Sequence, residues 1–373
     1  MKIIIQKNTL VEALQLITPI TDKSTSKPIL SNFVLEATEG DPRVKFSATD
    51  YEISIQGHFE AKVEKSGSVC ISARKVLEVC REFLSEDIEI ESDPQLWVNF
   101  LGGSAKLRLP SMDVGLYPTM EEVDLANSFS MGSKDLKRCI DLTIFATQTQ
   151  EARKNLMGVC LSFPEGHTAK WTATDGHRLA QVSREVEAAV LETPPEIIIP
   201  RKSLSEMVKV LEKTEEKVKV SFDERTLKLT TDHMVVTTRL IEGKFPNVEQ
   251  VIPRDSDKTI SVERERLSNG LRIVSFMSAD KIKPVKLTLQ NESMKLESEH
   301  SDTGESTNEI EVSYAGDPLQ IGFNAKYILD VLSVLTEGDK VELEMKGPLN
   351  PCKLGLPGDD SFLAVVMPLR IEW

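Results

Sequence analysis

The feature that most constrains the fold of this chain is an internal repeat. The stretch FSATDYEISI begins at Phe46, and WTATDGHRLA begins at Trp171, about 125 residues later. About 125 residues further on, LESEHS begins at Leu296 in a similar strand-like setting, although its Ala-Thr-Asp is lost. A motif that is copied together with its surroundings is more typical of a scaffold than of an active site. We therefore interpret TATDGHRLA (172–180) first as part of the architecture.

Two amphipathic helices recur in each copy, in the same order. Apolar residues at i, i+3, i+4 and i+7 indicate a helix with one buried face. For the first helix these are Leu10, Ala13, Leu14 and Ile17, then Leu136, Cys139, Ile140 and Thr143, then Leu267, Gly270, Leu271 and Val274. For the second helix they are Val76, Val79, Cys80 and Phe83, then Leu204, Met207, Val208 and Leu211, then Ile328, Val331, Leu332 and Leu335. Ser133 is the predicted N-cap of the first helix in the middle copy.

The strands and chain ends of the copies complete the pattern. An alternating strand follows each second helix, as DIEIE, KVKVSF and KVELEM, and a proline closes each copy at Pro118, Pro246 and Pro368. We predict three domains, at 1–126, 127–253 and 254–373. The fold class is α+β, with three tandem similar domains that each hold two helices packed on antiparallel sheets. Such an arc can close with a second copy into a dimeric ring.

Charge and composition limit the possible functions. The 373 residues include 45 basic and 59 acidic side chains, and the net charge of −14 by itself argues against tight phosphate binding. No apolar run approaches the ~18 residues that span a bilayer, so we expect no membrane segment. The five cysteines are scattered and show no metal-binding spacing, which is typical of reduced core residues in a cytoplasmic protein.

Asp175 and His177 are the candidate catalytic pair, because alternate residues of a strand point to one face. A metal-dependent hydrolase built on them is one alternative function. The remaining histidines show no HExxH spacing, and no phosphate-binding or GxSxG motif occurs. The simpler interpretation is a turn at Gly176 in which Asp175 satisfies local backbone groups. We therefore expect no catalytic residue, no metal and no cofactor. A repeat scaffold that binds proteins and never DNA is the second alternative.

Several stretches together resemble one known family. They are MKIIIQ at the start, KPIL (27–30), TDGHRLA, EGKFPNVEQVIP and the final VVMPLRI. The chain resembles the bacterial DNA polymerase III beta subunit family, the sliding clamps, over its full length. The resemblance implies a non-catalytic processivity factor in DNA replication, in which two copies join head to tail as a ring around duplex DNA. It also implies partners: the DNA polymerase III alpha subunit, the clamp loader and other proteins with a clamp-binding motif. A ring holds DNA topologically, which removes the objection from net charge.

The resemblance further implies three sets of site residues. A hydrophobic pocket for partner peptides is implied at Leu156, Thr174, Gly176, His177, Arg178, Leu179, Pro246, Val251, Asn324, Tyr327, Val365, Val366, Met367, Pro368, Leu369 and Arg370. Contact with DNA is expected at Arg74, Lys75, Lys134, Lys137, Arg138, Gln150, Arg153, Lys154, Arg201 and Lys202. A dimer interface is implied between Leu107 and Leu109 of one copy and Phe276 and Met277 of the other.

Five residues depart from the family pattern. Two aromatic residues expected after Arg153 are Lys154 and Asn155 here, so a base cannot stack on that loop. A basic position near the pocket is Gln250, and Glu372 and Trp373 extend the usual end. Acidic neighbours of the helix cations, such as Glu78, Asp141 and Glu206, also allow an ordinary solvated surface in place of a DNA-facing one.

Overall fold

Six α-helices lie in the part of the chain that the computed structural model describes, which is residues 1–373 except 22–26, 120–124, 192–195, 277–281, 301–303 and 371–373. The helices are α1 (Lys7–Ile17), α2 (Ala73–Glu82), α3 (Ser133–Ile144), α4 (Arg201–Leu211), α5 (Arg264–Ser275) and α6 (Ala325–Val334). They fall in three pairs, as the repeat predicts.

Most of the remaining described chain is β-strand. The first third holds β1 (Lys2–Gln6), β2 (Asn32–Ala37), β3 (Arg43–Thr49), β4 (Ile53–Glu60), β5 (Lys62–Lys65), β6 (Gly67–Ser72), β7 (Asp87–Ser92), β8 (Trp97–Gly102) and β9 (Ala105–Pro110). The middle third holds β10 (Asn127–Gly132), β11 (Gly158–Glu165), β12 (Thr168–Thr174), β13 (Arg178–Glu185), β14 (Glu187–Val190), β15 (Ile197–Pro200), β16 (Lys217–Phe222), β17 (Thr226–Thr230) and β18 (Met234–Arg239). The last third holds β19 (Lys258–Glu263), β20 (Pro284–Gln290), β21 (Ser293–His300), β22 (Gly304–Glu311), β23 (Leu319–Asn324), β24 (Lys340–Met345), β25 (Cys352–Gly355) and β26 (Phe362–Val366).

The order of elements repeats three times. Each copy runs from a strand through a first helix, a three-stranded meander, a second helix and a second meander, as in β10, α3, β11–β13, α4 and β16–β18. All the strand pairs named in the sheets are antiparallel. The predicted α+β class with three similar domains of paired helices on antiparallel sheets is confirmed.

The first compact unit comprises Met1–Lys137, Val186–Thr193 and Lys202–Leu240. It contains a five-stranded sheet in the order β5-β1-β7-β8-β9 and a nine-stranded sheet in the order β14-β10-β16-β17-β18-β4-β3-β2-β6. The pairing of β18 with β4 joins the middle copy to the first in one continuous sheet.

The second compact unit comprises Arg138–Glu185, Pro194–Arg201 and Ile241–Trp373. Its eight-stranded sheet has the order β15-β11-β12-β13-β26-β25-β24-β19, and its four-stranded sheet has the order β22-β21-β20-β23. Here β26 pairs with β13, which repeats the junction that β18 makes with β4.

The helix stripes are buried as predicted, with two shifts. Val79 and Val208 are only half-buried, while Leu77 and Val210 on the neighbouring face are buried. The buried stripes of α2 and α4 are therefore rotated slightly from the predicted ones, whereas the residues predicted for the stripe of α6 are all buried. Phe83 and Leu335 are buried just after their helices end.

Ser133 does not act as the predicted N-cap. It is the first residue of α3, and its Oγ donates to the Thr214 carbonyl at 2.6 Å. The hydroxyl lies in the protein interior beside a long-range acceptor, and this tertiary contact replaces the local cap.

Two further expectations concern cysteines and membranes. All five cysteines are buried, and burial raises the pKa of the Cys70 thiol to about 11 and that of Cys80 to about 12. These thiols stay protonated at neutral pH and act as small apolar core residues. None of the helices within the described ranges is long and apolar enough to cross a membrane.

Candidate functional site

The turn inside TATDGHRLA is built by its own side chains. Thr174 Oγ1 donates to the Arg178 carbonyl at 2.6 Å and accepts from the Gly176 amide at 3.1 Å. Asp175 Oδ1 accepts from the amides of His177 and Arg178, at 2.9 and 3.0 Å. Gly176 takes φ 91°, a left-handed conformation that favours glycine. Asp175 is therefore a turn-forming residue.

The first copy builds the same turn. Thr49 Oγ1 donates to the Ile53 carbonyl at 3.0 Å and accepts from the Tyr51 amide at 3.1 Å. Asp50 Oδ1 accepts from the amides of Glu52 and Ile53, at 3.0 and 2.9 Å. Tyr51 stands where the second copy has glycine, and it takes φ 74°. Shared hydrogen bonds in both copies are what a copied scaffold should show.

Arg178 connects the second turn to other elements. Its Nε donates to Asp175 Oδ2 at 3.1 Å, Nη1 to Asp330 Oδ2 at 2.6 Å and Nη2 to the Phe145 carbonyl at 2.6 Å. The guanidinium lies 4.7 Å from the centre of the Tyr327 ring and 5.4 Å from that of Phe145. Only 8% of Arg178 is exposed, so these contacts fix its position.

His177 and the start of α6 lie beside this arginine. The His177 and Tyr327 rings stack with centres 6.3 Å apart and an angle of 17°. Asn324 is the N-cap of α6, where its Oδ1 accepts from the Lys326 amide at 3.0 Å. Burial and then the charge of Asp175 raise the pKa of the Tyr327 hydroxyl. Across the described residues, no group of three or more His, Cys, Asp or Glu is placed to hold a metal ion.

A cavity of about 180 Å³ opens next to the turn. Part of the set implied by the resemblance lines it, namely Leu156, Thr174, Gly176, Arg178, Leu179, Pro246, Val251, Val365 and Met367. Leu179 and Val365 are direct partners across the β13–β26 pair, which brings the middle and last copies into one wall. Beneath Leu156 lies a core cluster with Cys160 and Phe245, which makes the floor rigid.

Other members of that set lie outside this cavity. Val366 is fully buried and does not line the cavity, because successive residues of β26 point to opposite faces. Asn324 and Tyr327 lie at the start of α6, and His177 lies in the turn and stacks on Tyr327. These three residues and Pro368 are not part of the lining. Leu369 and Arg370 line a second cavity of about 280 Å³.

The second cavity belongs to the last copy. Its other lining residues are Lys286, Gln320, Ile321, Gly322, Pro348 and Leu349. The Leu369 amide donates to the Gly322 carbonyl at 2.8 Å, which ties the end of the described chain to β23. The end of the described chain therefore forms part of the lining of this cavity.

Three residues that line the first cavity were not predicted to do so from the sequence. Asn247 and Val248 line the first cavity, and so does Arg153, which was assigned to DNA contact. The stretch EGKFPNVEQVIP contains two of them, so its resemblance to the family carried the signal. Gln250 lines a separate surface cavity of about 570 Å³, and Asn155 Nδ2 donates to the Lys244 carbonyl at 2.9 Å. Glu372 and Trp373 lie outside the described residues.

The cations assigned to DNA contact divide into two groups. Exposed ones begin the helices: Arg74 and Lys75 on α2, and Lys134 on α3, whose Nζ lies 3.7 Å from Glu215. Gln150 and Lys154 are also exposed, on the loop before β11, and Lys137 is half-buried with its Nζ 3.5 Å from Glu212. Lys202 forms an ion pair with Asp50.

Arg138 and Arg201 instead bind the carbonyl ends of helices. Arg138 Nη1 donates to the Val334 carbonyl at 2.6 Å, at the end of α6. Arg201 Nη1 donates to the Ile144 carbonyl at 2.9 Å and to Thr147 Oγ1 at 2.8 Å, just after α3. Both guanidiniums complement the negative end of a helix dipole, so each has a structural role of its own.

The residues assigned to the dimer interface lie at edges. Leu107 and Leu109 are half-buried on β9, the outermost strand of its sheet, while Lys106 and Arg108 are exposed. Phe276 follows α5 and is 78% exposed, so it is not interior core. Met277 lies outside the described residues.

Comparison with known proteins shows the family. Models of the DNA polymerase III beta subunit match in order: its N-terminal domain at residues 1–121, its central domain at 130–247 and its C-terminal domain at 249–370. The beta sliding clamp of Caulobacter vibrioides is 31% identical over 378 residues, covering 100% of both chains. That of Pseudomonas aeruginosa is 30% identical over 371 residues, covering 98% of this chain and 99% of the relative.

Solved structures agree with this assignment. The sliding clamp of Pseudomonas aeruginosa bound to griselimycin has a TM-score of 0.93 and 29% identity, with 100% of both chains covered. The griselimycin-bound clamp of Bartonella birtlesii has a TM-score of 0.94 and 27% identity at the same coverage. The chain therefore belongs to the DNA polymerase III beta subunit family of sliding clamps, and its role is that of a non-catalytic processivity factor in DNA replication.

Proposed function

We propose that the chain acts as a homodimeric ring around duplex DNA and holds partner proteins by a short peptide in the 180 Å³ cavity. The observation that carries the docking proposal is the cavity itself, where Leu179 and Pro246 meet Val365 and Met367 beside a fixed guanidinium. Aliphatic and methionine surface gives an adaptable apolar site, and a few polar groups orient a bound backbone.

The affinity of this site follows from its size. Burial of two leucine-sized side chains contributes ~3–6 kcal/mol before ordering losses. That range suits a weak, exchangeable contact, so one pocket can serve several partners in turn. Partners of the expected kind are the DNA polymerase III alpha subunit, the clamp loader and other proteins that carry a clamp-binding motif.

A peptide titration tests the docking proposal. The probe is a labelled peptide with one glutamine and two or three leucine or phenylalanine residues. Met367→Ala removes a half-buried side chain of the cavity, whereas Leu116→Ala removes one that is 72% exposed in the other compact unit. We expect Met367→Ala to weaken binding about tenfold, a loss of about 1.4 kcal/mol, with Leu116→Ala unchanged. Equal affinity of both variants and the wild type contradicts the assignment of the pocket.

The dimer proposal rests on the repeat of the sheets. β18 pairs with β4 and β26 pairs with β13, so the last strand of one copy joins the meander of another. β4 and β13 are each the third strand of a meander, and β22 holds the same position in the last copy. Within the described sheets, β9 and β22 are both edge strands, so each has one side that no described strand pairs with. We infer that β9 of one chain pairs with β22 of a second.

Charge supports that pairing. The exposed face of β9 carries Lys106 and Arg108, and the exposed face of β22 carries Glu305, Glu309 and Glu311. Opposite charges on adjacent strands favour pairing. Two β9–β22 junctions join two three-domain chains into a closed ring. The proposed domain boundaries within each chain lie after residues 126 and 253.

Solution mass tests the dimer. Phe276→Asp places a charge at an exposed aromatic next to the proposed junction and should give a soluble monomer. Leu116→Asp, at another exposed site, should remain a dimer. A Phe276→Asp dimer of unchanged affinity rules out this interface.

Retention on DNA tests encirclement. We expect the loaded clamp to stay on nicked circular DNA and to leave when the circle is cut, since the linkage is topological. Sequence-independent phosphate contacts from helix cations such as Arg74, Lys75 and Lys134 should give weak, salt-dependent binding to short duplexes. Tight binding to a short duplex that salt does not weaken contradicts the ring.

A further inference from the structure

Tyr51 is an exposed aromatic residue held in an unusual backbone conformation. It lies in the turn between β3 and β4, where its φ of 74° is left-handed and 46% of the residue is exposed. The equivalent residue of the second copy is Gly176, which takes nearly the same conformation without strain. A non-glycine residue in this region marks a position where the side chain is retained against a local cost, and such positions cluster at functional sites.

Cations from two other segments lie at this turn. Lys27 Nζ lies over the Tyr51 ring, 4.3 Å from its centre. Lys202, at the start of α4, forms an ion pair with the adjacent Asp50, whose side chain is only 7% exposed. All of these residues belong to the first compact unit. Segments far apart in the sequence therefore bring Lys27 over the ring and Lys202 to the aspartate next to it.

Charged residues of both signs lie beside the turn. The Arg239 amide donates to the Glu52 carbonyl at 2.9 Å, which joins the backbones of these two exposed residues next to Tyr51. The turn and its neighbours thus carry three cations, Lys27, Lys202 and Arg239, and two carboxylates, Asp50 and Glu52, with Lys202 and Asp50 paired to each other. An exposed aromatic ring with lysines beside it suits a planar ligand that carries negative charge.

We propose that Tyr51, Lys27 and Lys202 form a stacking site for an unpaired base of single-stranded DNA. Base–aromatic stacking does not depend on sequence, and neighbouring ammonium groups contact phosphates. Single-stranded DNA is the occupant that fits, because the Tyr51 ring supplies stacking while the ammonium groups of Lys27 and Lys202 supply phosphate contact. The stacking site rests on the proposed function, because encirclement is what brings DNA to this protein. It adds a contact that encirclement of a duplex does not require.

The second copy offers a matched variant for the test. Tyr51→Gly removes the ring and installs the residue that the same turn carries at Gly176, so the fold should be kept. Tyr51→Phe keeps the ring and removes the hydroxyl. We expect Tyr51→Gly to lower affinity for a labelled oligodeoxythymidine by roughly tenfold, whereas Tyr51→Phe binds as the wild type does.

Photocrosslinking distinguishes direct contact between Tyr51 and the oligonucleotide from a purely structural role of this residue. An oligonucleotide with 5-iododeoxyuridine should crosslink to the peptide that contains Tyr51, and Tyr51→Gly should abolish that crosslink. Absence of oligodeoxythymidine binding by the wild type, equal affinity of Tyr51→Gly, or a crosslink elsewhere overturns the proposal. Preferential binding of an acidic peptide, polyglutamate, over the oligonucleotide overturns it as well.

Retention on nicked circular duplex separates this proposal from the ring. Tyr51→Gly should remain on the circle as long as the wild type does. Loss of oligonucleotide binding with normal retention supports the stacking site. Normal oligonucleotide binding by the Tyr51→Gly variant contradicts the stacking site and leaves the ring proposal unaffected. Failure of the wild type to stay on the circle contradicts the ring, and the oligonucleotide result then decides the stacking site by itself.

Discussion

The turns at 49–53 and 174–178 have the same side-chain-to-backbone hydrogen bonds and different surroundings. In both, a threonine hydroxyl and an aspartate carboxylate close the turn. The first turn ends in Ile53, which is 1% exposed, and displays Tyr51. The second ends in Arg178, which binds Asp330 on α6, and leaves Gly176 open to a cavity. A repeated scaffold thus supports two different surfaces, and single side chains decide which one forms.

The largest expected effect comes from the ion pair of each turn. Arg178→Ala leaves Asp175 and Asp330 without their partner in a site where the arginine is 8% exposed. We expect the free energy of unfolding to fall by about 3 kcal/mol and peptide binding to be lost. Lys202→Ala removes a pair whose lysine is 52% exposed, and should cost about 0–1 kcal/mol.

Urea unfolding of the two variants measures this difference. If both variants lose the same free energy of unfolding, the two ion pairs contribute equally to stability. The prediction that the Arg178–Asp330 contact between the turn and α6 stabilises the fold more strongly is then wrong. Arg178→Lys is a further control, because lysine keeps the charge but cannot make the separate contacts of Nε, Nη1 and Nη2.

An exchange of residues between the turns gives an intermediate effect. Gly176→Tyr should cost about 1–2 kcal/mol, since a side chain is strained at φ 91°, and its ring should also block the cavity. Tyr51→Gly should be close to neutral in stability, because relief of strain offsets the freedom that glycine gains in the unfolded chain. Thermal unfolding and peptide titration measure both; peptide binding by Gly176→Tyr at wild-type affinity contradicts the position of the pocket.

The smallest effect concerns tyrosines beside the turns at high pH. Burial raises the pKa of both Tyr117, which accepts from the Thr49 amide at 3.0 Å, and Tyr327. A raised folded-state pKa means that the protonated form is favoured by folding. This contribution is complete below the unfolded value near 10 and is lost as pH rises through the folded value.

Unfolding midpoints from about pH 9 upward check this sign. We expect the midpoint to fall with rising pH, and Tyr327→Phe to remove the part that belongs to the second turn. A Tyr327→Phe variant whose midpoint falls as steeply as that of the wild type shows that this tyrosine does not contribute. Absorbance of the phenolate gives an independent titration of the same groups.

Some features were predictable because they depend on neighbours in sequence. The stripe of Leu10, Ala13, Leu14 and Ile17 follows from the helical period, and all four are buried. The role of Asp175 as a turn former also follows from the short reach of its side chain to its own backbone. The N-cap prediction for Ser133 was wrong for the opposite reason, because the distant Thr214 carbonyl competes for its hydroxyl.

The sequence by itself determined the threefold repeat, the helices with their buried faces and the two self-closing turns, because each depends on contacts within a few residues. Only the tertiary structure decided which turn borders a cavity. Leu179 meets Val365 through a pairing between distant strands, and Arg178 reaches Asp330 across 152 residues. Likewise, the tertiary structure assigned Arg201 to a helix end and left Lys134 exposed, since the partner of a long side chain depends on chain segments that sequence spacing does not bring together.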